Sequence, residues 1–307
     1  MRVHHLPLPR LALYEAWHRL RRPSVERATG AIDVIHATAN AMPPKTAPLV
    51  LTIHDLAFVH HPEHFTARGV RFFKRGLELA KSDADVVLCP SHATIADCEE
   101  AGFSAERLRL VPLGVEVEPA TEDEVAEARR RYHLERPYLL WVGTIEPRKN
   151  LPGLLEAYAR AAPDVDLVLV GPEGWNEDLA SLTARFRVGV KALGFVPRDD
   201  LRRLYAGAAA LTFPSLSEGF GFPVLEAMAQ GTPVVTSVGT STEELAAGAA
   251  ILVDAHDPAS VAKGIEKVLS DSGLAARLAE RGRARAMQYS WQRTGDLIER
   301  VYRELSG

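Results

Sequence analysis

Short runs of apolar residues, many of them β-branched, recur along the chain and are separated by stretches with apolar residues at helical spacing. The stretches predict helices, for example over 151–161 and 177–186. Strands that alternate with helices are typical of parallel sheets with helices on both faces, and continuous apolar runs fit strands that are buried on both sides. The runs predict strands at 32–36, 49–53, 85–89, 108–111, 138–142, 166–170, 190–193, 209–213, 233–236 and 250–253.

The alternation is interrupted once, at residues 113–136, where a glycine- and proline-containing stretch precedes a highly charged helical pattern over 122–132. We place the domain boundary there. Residues 1–113 then form a first domain and 114–136 a linker with the charged helix. Residues 137–289 form a second α/β domain, and 290–307 form a strongly amphipathic final helix.

The first domain departs from the usual pattern, because 1–31 contains no strand signal. A doubly wound sheet usually begins with a strand and a glycine-rich turn, so we expect this domain to lack its first strand. Residues 10–27 are basic and amphipathic, with Leu11, Leu13, Trp17 and Leu20 at helical spacing. We interpret them as a packed helix with a solvated basic face; a helix that lies on a membrane surface is the alternative.

Composition narrows the class of protein. The chain has 307 residues, 47% of them hydrophobic and 25% charged, and a net charge of −4, which fits a soluble two-domain protein and gives no basic excess for nucleic acid. Its two cysteines, Cys89 and Cys98, form neither a CxxC pair nor a disulfide framework, which favours a reducing cytoplasm. The sequence contains neither an apolar run of transmembrane length nor a signal-peptide pattern at its start.

The most informative segment lies at 217–231, where Glu218 and Glu226 bracket a turn that contains Gly219 and Gly221. Pro223 suits the first turn of a helix that follows. A glycine turn that leads into a helix offers free N–H groups and the positive end of the helix dipole, which suit a diphosphate. Carboxylates beside it suit sugar hydroxyls instead, since hydroxyls donate to them. The segment therefore predicts a site for a nucleotide joined to a sugar.

A second group of candidate residues follows the strand at 138–142. Gly143 ends this strand, and the adjacent cations Arg148 and Lys149 precede a helix. Ligands of open α/β sheets bind at the carboxyl ends of strands. Arg148 can bind phosphate oxygens through two parallel hydrogen bonds, and Lys149 supplies a point charge. Because a helix start disfavours cations unless an anion arrives, we interpret the pair as diphosphate ligands rather than a surface basic pair.

Two further strand ends are weaker candidates. Gly194, Phe195 and Val196 could hold a flat base through backbone groups, or form an ordinary loop between a strand and a helix. His54 follows the strand at 49–53 and could reach a reacting sugar or phosphate, or could be a structural histidine.

The sequence offers little for other kinds of catalysis. His60, His61 and His64 lie close together, but no cysteine or further ligand at a recognisable spacing completes a zinc site, so we expect no metal. Neither a G-x-S-x-G nucleophile elbow nor a P-loop is present.

Together these motifs resemble the retaining glycosyltransferases of the GT-B class that are numbered family 4. The resemblance covers nearly all of the chain from about residue 30 onward; it is strongest at 142–150 and at 218–226, which is similar to the family's E-x7-E motif. It implies two Rossmann-like domains that face each other across a cleft, with the nucleotide sugar bound to the second domain and the acceptor presented by the first. It also implies that the final helix crosses back to the first domain.

The resemblance assigns a role to each candidate residue. Arg148 and Lys149 would hold the diphosphate, Glu218 the hydroxyls of the transferred sugar and Glu226 those of the ribose. His54 would contact the donor from the first domain. Gly143 would lie beside the donor at the strand end. The base would be flanked by Gly194, Phe195 and Val196, and the sugar and phosphates by Gly219, Phe220, Gly221 and Phe222.

The implied function is transfer of a hexose, with retention, from a nucleoside diphosphate sugar to a glycan, lipid-linked or small-molecule acceptor, as in polysaccharide biosynthesis. Residues 54–58 are similar to the mannosyltransferase-like branch and favour GDP-mannose. No metal or other cofactor is expected, since Arg and Lys replace Mg²⁺. The expected location is the cytoplasm, and a peripheral contact with the inner face of the membrane is compatible with it. The alternatives are a sugar-nucleotide epimerase of the same fold and a nucleotide-sugar-binding module without turnover.

Overall fold

A computed structural model describes residues 2–174, 176–186 and 188–307 of the chain. The chain folds into two compact units. The first comprises the residues up to Leu113 together with Gln292–Gly307, and the second comprises Gly114–Trp291.

The first unit is built on a parallel sheet of four strands in the order β1-β2-β3-β4. The strands are β1 (Ile35–Ala37), β2 (Leu49–Thr52), β3 (Val86–Cys89) and β4 (Leu108–Leu110). Five helices precede or connect them: α1 (Arg10–Leu20), α2 (Glu26–Thr29), α3 (Ala57–His60), α4 (Ala67–Asp83) and α5 (His92–Glu100). Side-chain caps fix two helix starts, because Thr66 accepts from the Gly69 amide and Ser91 from the Thr94 amide.

The second unit contains a six-stranded parallel sheet in the order β10-β9-β8-β5-β6-β7. Its strands are β5 (Tyr138–Val142), β6 (Asp166–Val170), β7 (Lys191–Gly194), β8 (Ala210–Phe213), β9 (Val234–Ser237) and β10 (Ile251–Val253). Its helices are α6 (Glu122–Arg131), α7 (Leu151–Ala161), α8 (Leu179–Phe186), α9 (Arg198–Gly207), α10 (Phe222–Ala229), α11 (Ser241–Ala246), α12 (Pro258–Ser270) and α13 (Ser272–Ala286).

The strand order of the second unit determines where a ligand can bind. From β5 the chain winds outward through β6 and β7, then returns to place β8 on the other side of β5 and winds outward again through β9 and β10. The loops after β5 and β8 therefore leave in opposite directions from neighbouring strands. Such a topological switch point opens a crevice at the carboxyl end of the sheet, where ligands of this architecture bind.

The final helix, α14 (Trp291–Ser306), packs on the first unit. Alternate residues of β2 and β3 face opposite sides of the first sheet. One set belongs to the main core of this unit and includes Leu51 and Val87, whereas Val50 and Leu88 pack with Val301 of α14. The helix therefore covers the second face of the sheet and completes its burial.

The predicted α/β class and the pair of parallel sheets are confirmed, and each predicted strand has a counterpart. Strands 138–142 and 166–170 match at both ends, whereas β1 begins three residues later than the predicted 32–36. Within residues 2–34 no strand forms, and β1 is an edge strand. His4, His5 and Leu6 line one pocket together with residues of β1. No helix in the described part of the chain has the length and apolar composition needed to cross a bilayer.

Candidate functional site

The loops that follow β5 and β8 are tied together at the switch point of the second sheet. Asn150 donates its side-chain N–H groups to the carbonyl oxygens of Pro214, at 3.0 Å, and Ala255, at 2.7 Å. The amide of Leu216 donates to the carbonyl of Arg148 at 2.9 Å. These contacts bring the Arg148–Lys149 pair, which precedes α7, next to Glu218, which precedes α10.

Four charged side chains meet there and form an ion-pair cluster of Glu146, Arg148, Lys149 and Glu218. Lys149 Nζ lies 2.5 Å from Glu218 Oε1, and the Arg148 guanidinium lies 3.0 Å from Glu218 Oε2 and 2.7 Å from Glu146 Oε1. The side chains of Glu146 and Glu218 are each only 7% exposed, and those of Arg148 and Lys149 are 15% and 11% exposed. The alternative of a solvated surface basic pair is therefore wrong.

The cluster is balanced electrostatically. Burial alone would raise the pKa of Glu218, but the charges of Lys149 and Arg148 outweigh burial and hold the pKa below its ordinary value. Two carboxylates and two cations sum to zero formal charge. Lys149 Nζ also lies 5.0 Å from the centre of the Phe213 ring, which favours the charged ammonium. The two cations are therefore buried without leaving an uncompensated charge in the site.

The glycine turn has a geometry that side chains would prevent. Gly221 adopts a φ of 104°, and a Cβ there would lie 2.7 Å from Thr242 Cγ2. The Ser241 hydroxyl donates to the carbonyls of Glu218, at 2.8 Å, and Phe220, at 3.0 Å, so that α11 fixes the turn. Gly221 is the residue from which α10 begins, with Phe222 as its first residue. The positive end of this helix therefore lies close to Glu218.

The turn residues Gly219 to Phe222 fall into two kinds. Phe220 is buried and packs edge-on against Phe222 and Tyr289, so its ring supports the turn rather than lining an open site. Phe222 is half-buried and its ring stacks on Trp291. Gly219 and Gly221 contribute backbone only. Gly143 likewise contributes backbone, because its N–H donates to the carbonyl of Val170 and extends the pairing of β5 with β6.

Glu226 lies on α10 and faces a small pocket of its own unit. Tyr205 of α9 donates its hydroxyl to Glu226 Oε2 at 2.8 Å. Burial raises the pKa of Glu226, although the Tyr205 hydroxyl and the charge of Arg198 act in the opposite direction. Val115, Arg198, Leu201 and Gln230 also line this pocket. The pocket can thus offer a carboxylate acceptor to a hydroxyl-bearing ligand.

The predicted base-binding loop follows β7. Gly194 adopts a φ of 64° with open space where a Cβ would lie, and its carbonyl accepts from the Gly171 amide at 2.8 Å. Val196 is buried, whereas Phe195 is 82% exposed. The Phe195 ring is therefore free to stack on a flat ligand, and contact with a base stays a prediction.

His54 lies in the first unit, two residues after the end of β2. Its side chain is exposed, and Nε2 lies 3.0 Å from the carbonyl oxygen of Thr38 in the loop after β1. The contact joins two loops at the carboxyl end of the first sheet. His54 is thus accessible rather than buried in the core, and its contact with a donor stays a prediction.

Two of the histidines near His54 have Glu63 as a close neighbour. His61, Glu63 and His64 place ligand atoms within 4.8 Å of one another, and the two imidazole rings stack at 5.1 Å. His60 is not part of this group, since it pairs with Asp97 at 3.3 Å. Glu63 Oε1 lies 3.3 Å from His61 Nδ1 and 3.7 Å from His64 Nε2, and the side chain of Glu63 is 63% exposed.

Glu177, in the loop before α8, lies near Glu146 and has an unusual environment. Within the described part of the chain its Oε2 atom is buried without a hydrogen-bond partner. Burial, and then the charge of Glu146, raise the pKa of Glu177 to about 7. The folded state therefore binds the Glu177 proton more tightly than the unfolded state. The stability from this proton is full below the ordinary pKa near 4.5 and is lost as the pH rises towards 7.

We therefore expect Glu177→Gln to stabilise the protein at pH 8 by about 1–2 kcal/mol, after allowance for partial exposure, and to change little at pH 4.5. Urea unfolding at both pH values measures the effect. Glu173→Gln, in the same loop, is the matched control. Equal effects of Glu177→Gln at the two pH values would contradict a buried, proton-binding Glu177.

Three residues of the site carried no assigned role in the sequence analysis. Glu146 and Asn150 lie within the motif at 142–150, in which Arg148 and Lys149 were interpreted as the diphosphate ligands. The partners of Asn150, Pro214 and Ala255, are set by tertiary contacts, whereas Glu146 pairs with Arg148, two residues along the chain. Tyr205 contacts Glu226 across 21 residues, and helical spacing within α9 gives no sign of that partner.

Comparison with protein families gives two matches that together span most of the chain. The family model described as "Glycosyl transferases group 1" matches residues 124–285. The model described as "Glycosyltransferase Family 4" matches residues 2–119.

Similar proteins include the O-antigen chain mannosyltransferase B of Escherichia coli, which is 33% identical over 270 residues, covering 84% of this chain and 71% of the relative. A D-inositol 3-phosphate glycosyltransferase of Salinispora arenicola is 33% identical over 323 residues, covering 92% of this chain and 71% of the relative.

Solved structures share the fold. Anabaena Alr3699/HepE in complex with UDP-glucose superimposes with a TM-score of 0.78 at 22% identity, covering 95% of this chain and 81% of that one. Sucrose-phosphate synthase from Thermosynechococcus elongatus gives a TM-score of 0.78 at 24% identity, covering 97% of this chain and 80% of that one.

Proposed function

The chain belongs to the glycosyl transferases group 1, a family of nucleotide-sugar-dependent glycosyltransferases, and on that premise we propose that it transfers a hexose with retention of the anomeric configuration. The acceptor would be a hydroxyl group of a glycan, a lipid-linked or a small-molecule acceptor. The observation that carries the proposal is the buried ion-pair cluster beside the start of α10, with Glu226 on the same helix.

This arrangement suits a nucleoside diphosphate sugar. The α10 amides, Arg148 and Lys149 would hold the diphosphate, while Glu218 would accept from sugar hydroxyls and Glu226 from ribose hydroxyls. In the described part of the chain, Lys149 has three N–H bonds and one hydrogen-bond partner, Glu218 Oε1. It can therefore donate to a phosphate without leaving Glu218 unpaired.

The proposed chemistry is a front-face displacement. The bond between the sugar anomeric carbon and the β-phosphate oxygen breaks, and the acceptor oxygen forms a new bond on the same face. The acceptor proton passes to a phosphate oxygen of the leaving diphosphate. Arg148 and Lys149 stabilise the charge that develops on the departing diphosphate, which is the largest catalytic term of such sites.

GDP-mannose is the donor that we favour. The similarity of residues 54–58 to mannosyltransferases supports it, and so does the printed name of the Escherichia coli relative. Because the cations lie where a metal would otherwise neutralise the diphosphate, we propose that transfer needs no metal or further cofactor. Activity is therefore expected to persist in EDTA.

The direct test is a transfer assay with GDP-mannose and UDP-glucose and a pool of glycan and lipid-linked acceptors, followed by NMR of the anomeric linkage. We expect acceptor-dependent GDP release and an axial product linkage. Conversion of the donor without any acceptor would indicate the epimerase alternative. Donor binding without transfer to any acceptor would indicate the binding-module alternative, and inverted product would contradict retention.

A further inference from the structure

A short turn in the first unit carries three side chains that can bind a metal ion. His61, Glu63 and His64 each place one ligand atom within 4.8 Å of the other two. In the sequence, His60 and His64 stand out as a pair four residues apart. In the structure His60 pairs with Asp97 instead, and Glu63 lies beside His64 as a ligand that the spacing did not reveal.

The distances within this turn match those between two ligands of one ion. Glu63 Oε1 lies 3.3 Å from His61 Nδ1 and 3.7 Å from His64 Nε2. A tetrahedral zinc ion with bonds of about 2.0–2.1 Å holds its ligand atoms about 3.3–3.4 Å apart. A charge-assisted hydrogen bond between an imidazole and a carboxylate is shorter, at about 2.7–2.9 Å. The carboxylate is therefore spaced from both rings as it would be around a shared ion.

The backbone of the turn is held in place by contacts that need no ion. Pro62 begins a 3₁₀ turn that ends at His64, and its ring fixes one backbone angle. The amide of His61 donates to the carbonyl of Ala57 at 2.8 Å, and the amide of Phe65 donates to the carbonyl of Pro62 at 3.1 Å. Phe65 packs against the main core of the first unit. Ligands on such a turn lose less conformational freedom on binding than ligands on a mobile loop.

The kinds of ligand select the class of ion. Two imidazoles and one carboxylate suit Zn²⁺ and its neighbours among the transition metals, whereas Mg²⁺ and Ca²⁺ take oxygen ligands. The carboxylate supplies one negative charge against the two positive charges of the ion. The side chains of His61 and Glu63 are 39% and 63% exposed, so water can reach the fourth position of a tetrahedral ion.

We propose that His61, Glu63 and His64 bind a Zn²⁺ ion, with water as the fourth ligand. The ion ties the side chains of the turn between α3 and α4 together and stabilises the folded first unit by mass action. It is not a cofactor of the proposed transfer, whose phosphate ligands belong to the second unit. Because zinc binding needs neither donor nor acceptor, its outcome is separable from that of the transfer assay.

The test is isothermal titration of the metal-free full chain, without a histidine tag, with ZnCl₂. We expect one ion per chain and a melting temperature that rises with the zinc concentration. The zinc-edge X-ray absorption spectrum should show two imidazole ligands and bonds of about 2.0–2.1 Å. MgCl₂ in place of ZnCl₂ should give no comparable binding, since Mg²⁺ prefers oxygen ligands.

Variants of the ligands test which side chains hold the ion. His64→Gln and Glu63→Gln should each weaken zinc binding at least about tenfold, since even the outer-shell partners of a metal contribute about ten- to a hundredfold. His60→Gln is the matched control and should bind zinc like the native chain, because His60 pairs with Asp97. Thermal unfolding without zinc is the folding check, and the exposed Glu63→Gln keeps the test valid if His64→Gln does not fold.

Three results would overturn the proposal. The first is a folded native chain that binds no zinc. The second is a loss of binding in His60→Gln as large as that in His64→Gln, which would indicate the pair four residues apart. The third is a loss of binding when the adjacent exposed histidines His4 and His5 are both replaced by Gln, which would indicate an adventitious ion only.

Discussion

Lys149→Ala is expected to lower kcat/KM for sugar transfer by about a hundred- to a thousandfold, because it removes a buried donor aimed at the departing diphosphate. The substitution also leaves Glu218 with one cation instead of two. Loss of a partner from a buried pair costs about 3 kcal/mol of unfolding free energy, so rates need to be measured well below the melting temperature.

A double-variant cycle separates a direct role of Lys149 from a structural one. If Lys149 binds the diphosphate, Lys149→Ala should weaken GDP binding in the Glu218→Gln background as well as in the native chain. If it served only to neutralise Glu218, its loss would matter little once Glu218 is uncharged. Lys191→Ala is the control, because Lys191 also pairs with an acid of the same unit, Asp166, at 3.0 Å.

Glu226→Gln is expected to affect binding and stability in opposite directions. GDP affinity should fall by about ten- to a hundredfold, since the variant loses a charged acceptor for ribose hydroxyls. Burial raises the pKa of Glu226, so the stability from its bound proton is lost as the pH rises through the range between its ordinary and raised values. The variant should therefore be more stable than the native chain at neutral pH.

The ligand supplies the matching control. The 2′,3′-dideoxy analogue of GDP lacks the two hydroxyls, so it should bind weakly to the native chain and about equally to native and Glu226→Gln proteins. Isothermal titration measures all four combinations. If Glu226→Gln weakened binding of the analogue as strongly as it weakens binding of GDP, the carboxylate would not act through the ribose hydroxyls.

Much of the fold follows from local pattern. Residues 138–142 and 167–170 are apolar throughout, which fits strands covered on both faces, and the ends of these strands coincide with a change in composition. The short strand β1 was less well located, because its burial alternates and residues 32–34 add apolar character without joining the sheet. Backbone pairing, rather than composition, determines where such a strand begins and ends.

Local geometry of the candidate site was predictable, whereas its contacts with a ligand stay a prediction. The turn at 218–222 needs glycine at 221 for its backbone angle, and the cation pair beside the strand end needs anions, which Glu146 and Glu218 supply. Arg148 pairs with Glu146, two residues away, and with Glu218, seventy residues away, and only the first pairing is local enough to predict. Only the strand order, with β8 beside β5, brings the second partner into contact.

A crystal structure of the chain with GDP would show directly whether Arg148 and Lys149 hold the diphosphate. We expect diphosphate oxygens within about 3 Å of Lys149 Nζ and of the Arg148 guanidinium, and ribose hydroxyls at hydrogen-bond distance from Glu226. A diphosphate bound away from the start of α10, with the ion-pair cluster of Glu146, Arg148, Lys149 and Glu218 unchanged, would contradict it.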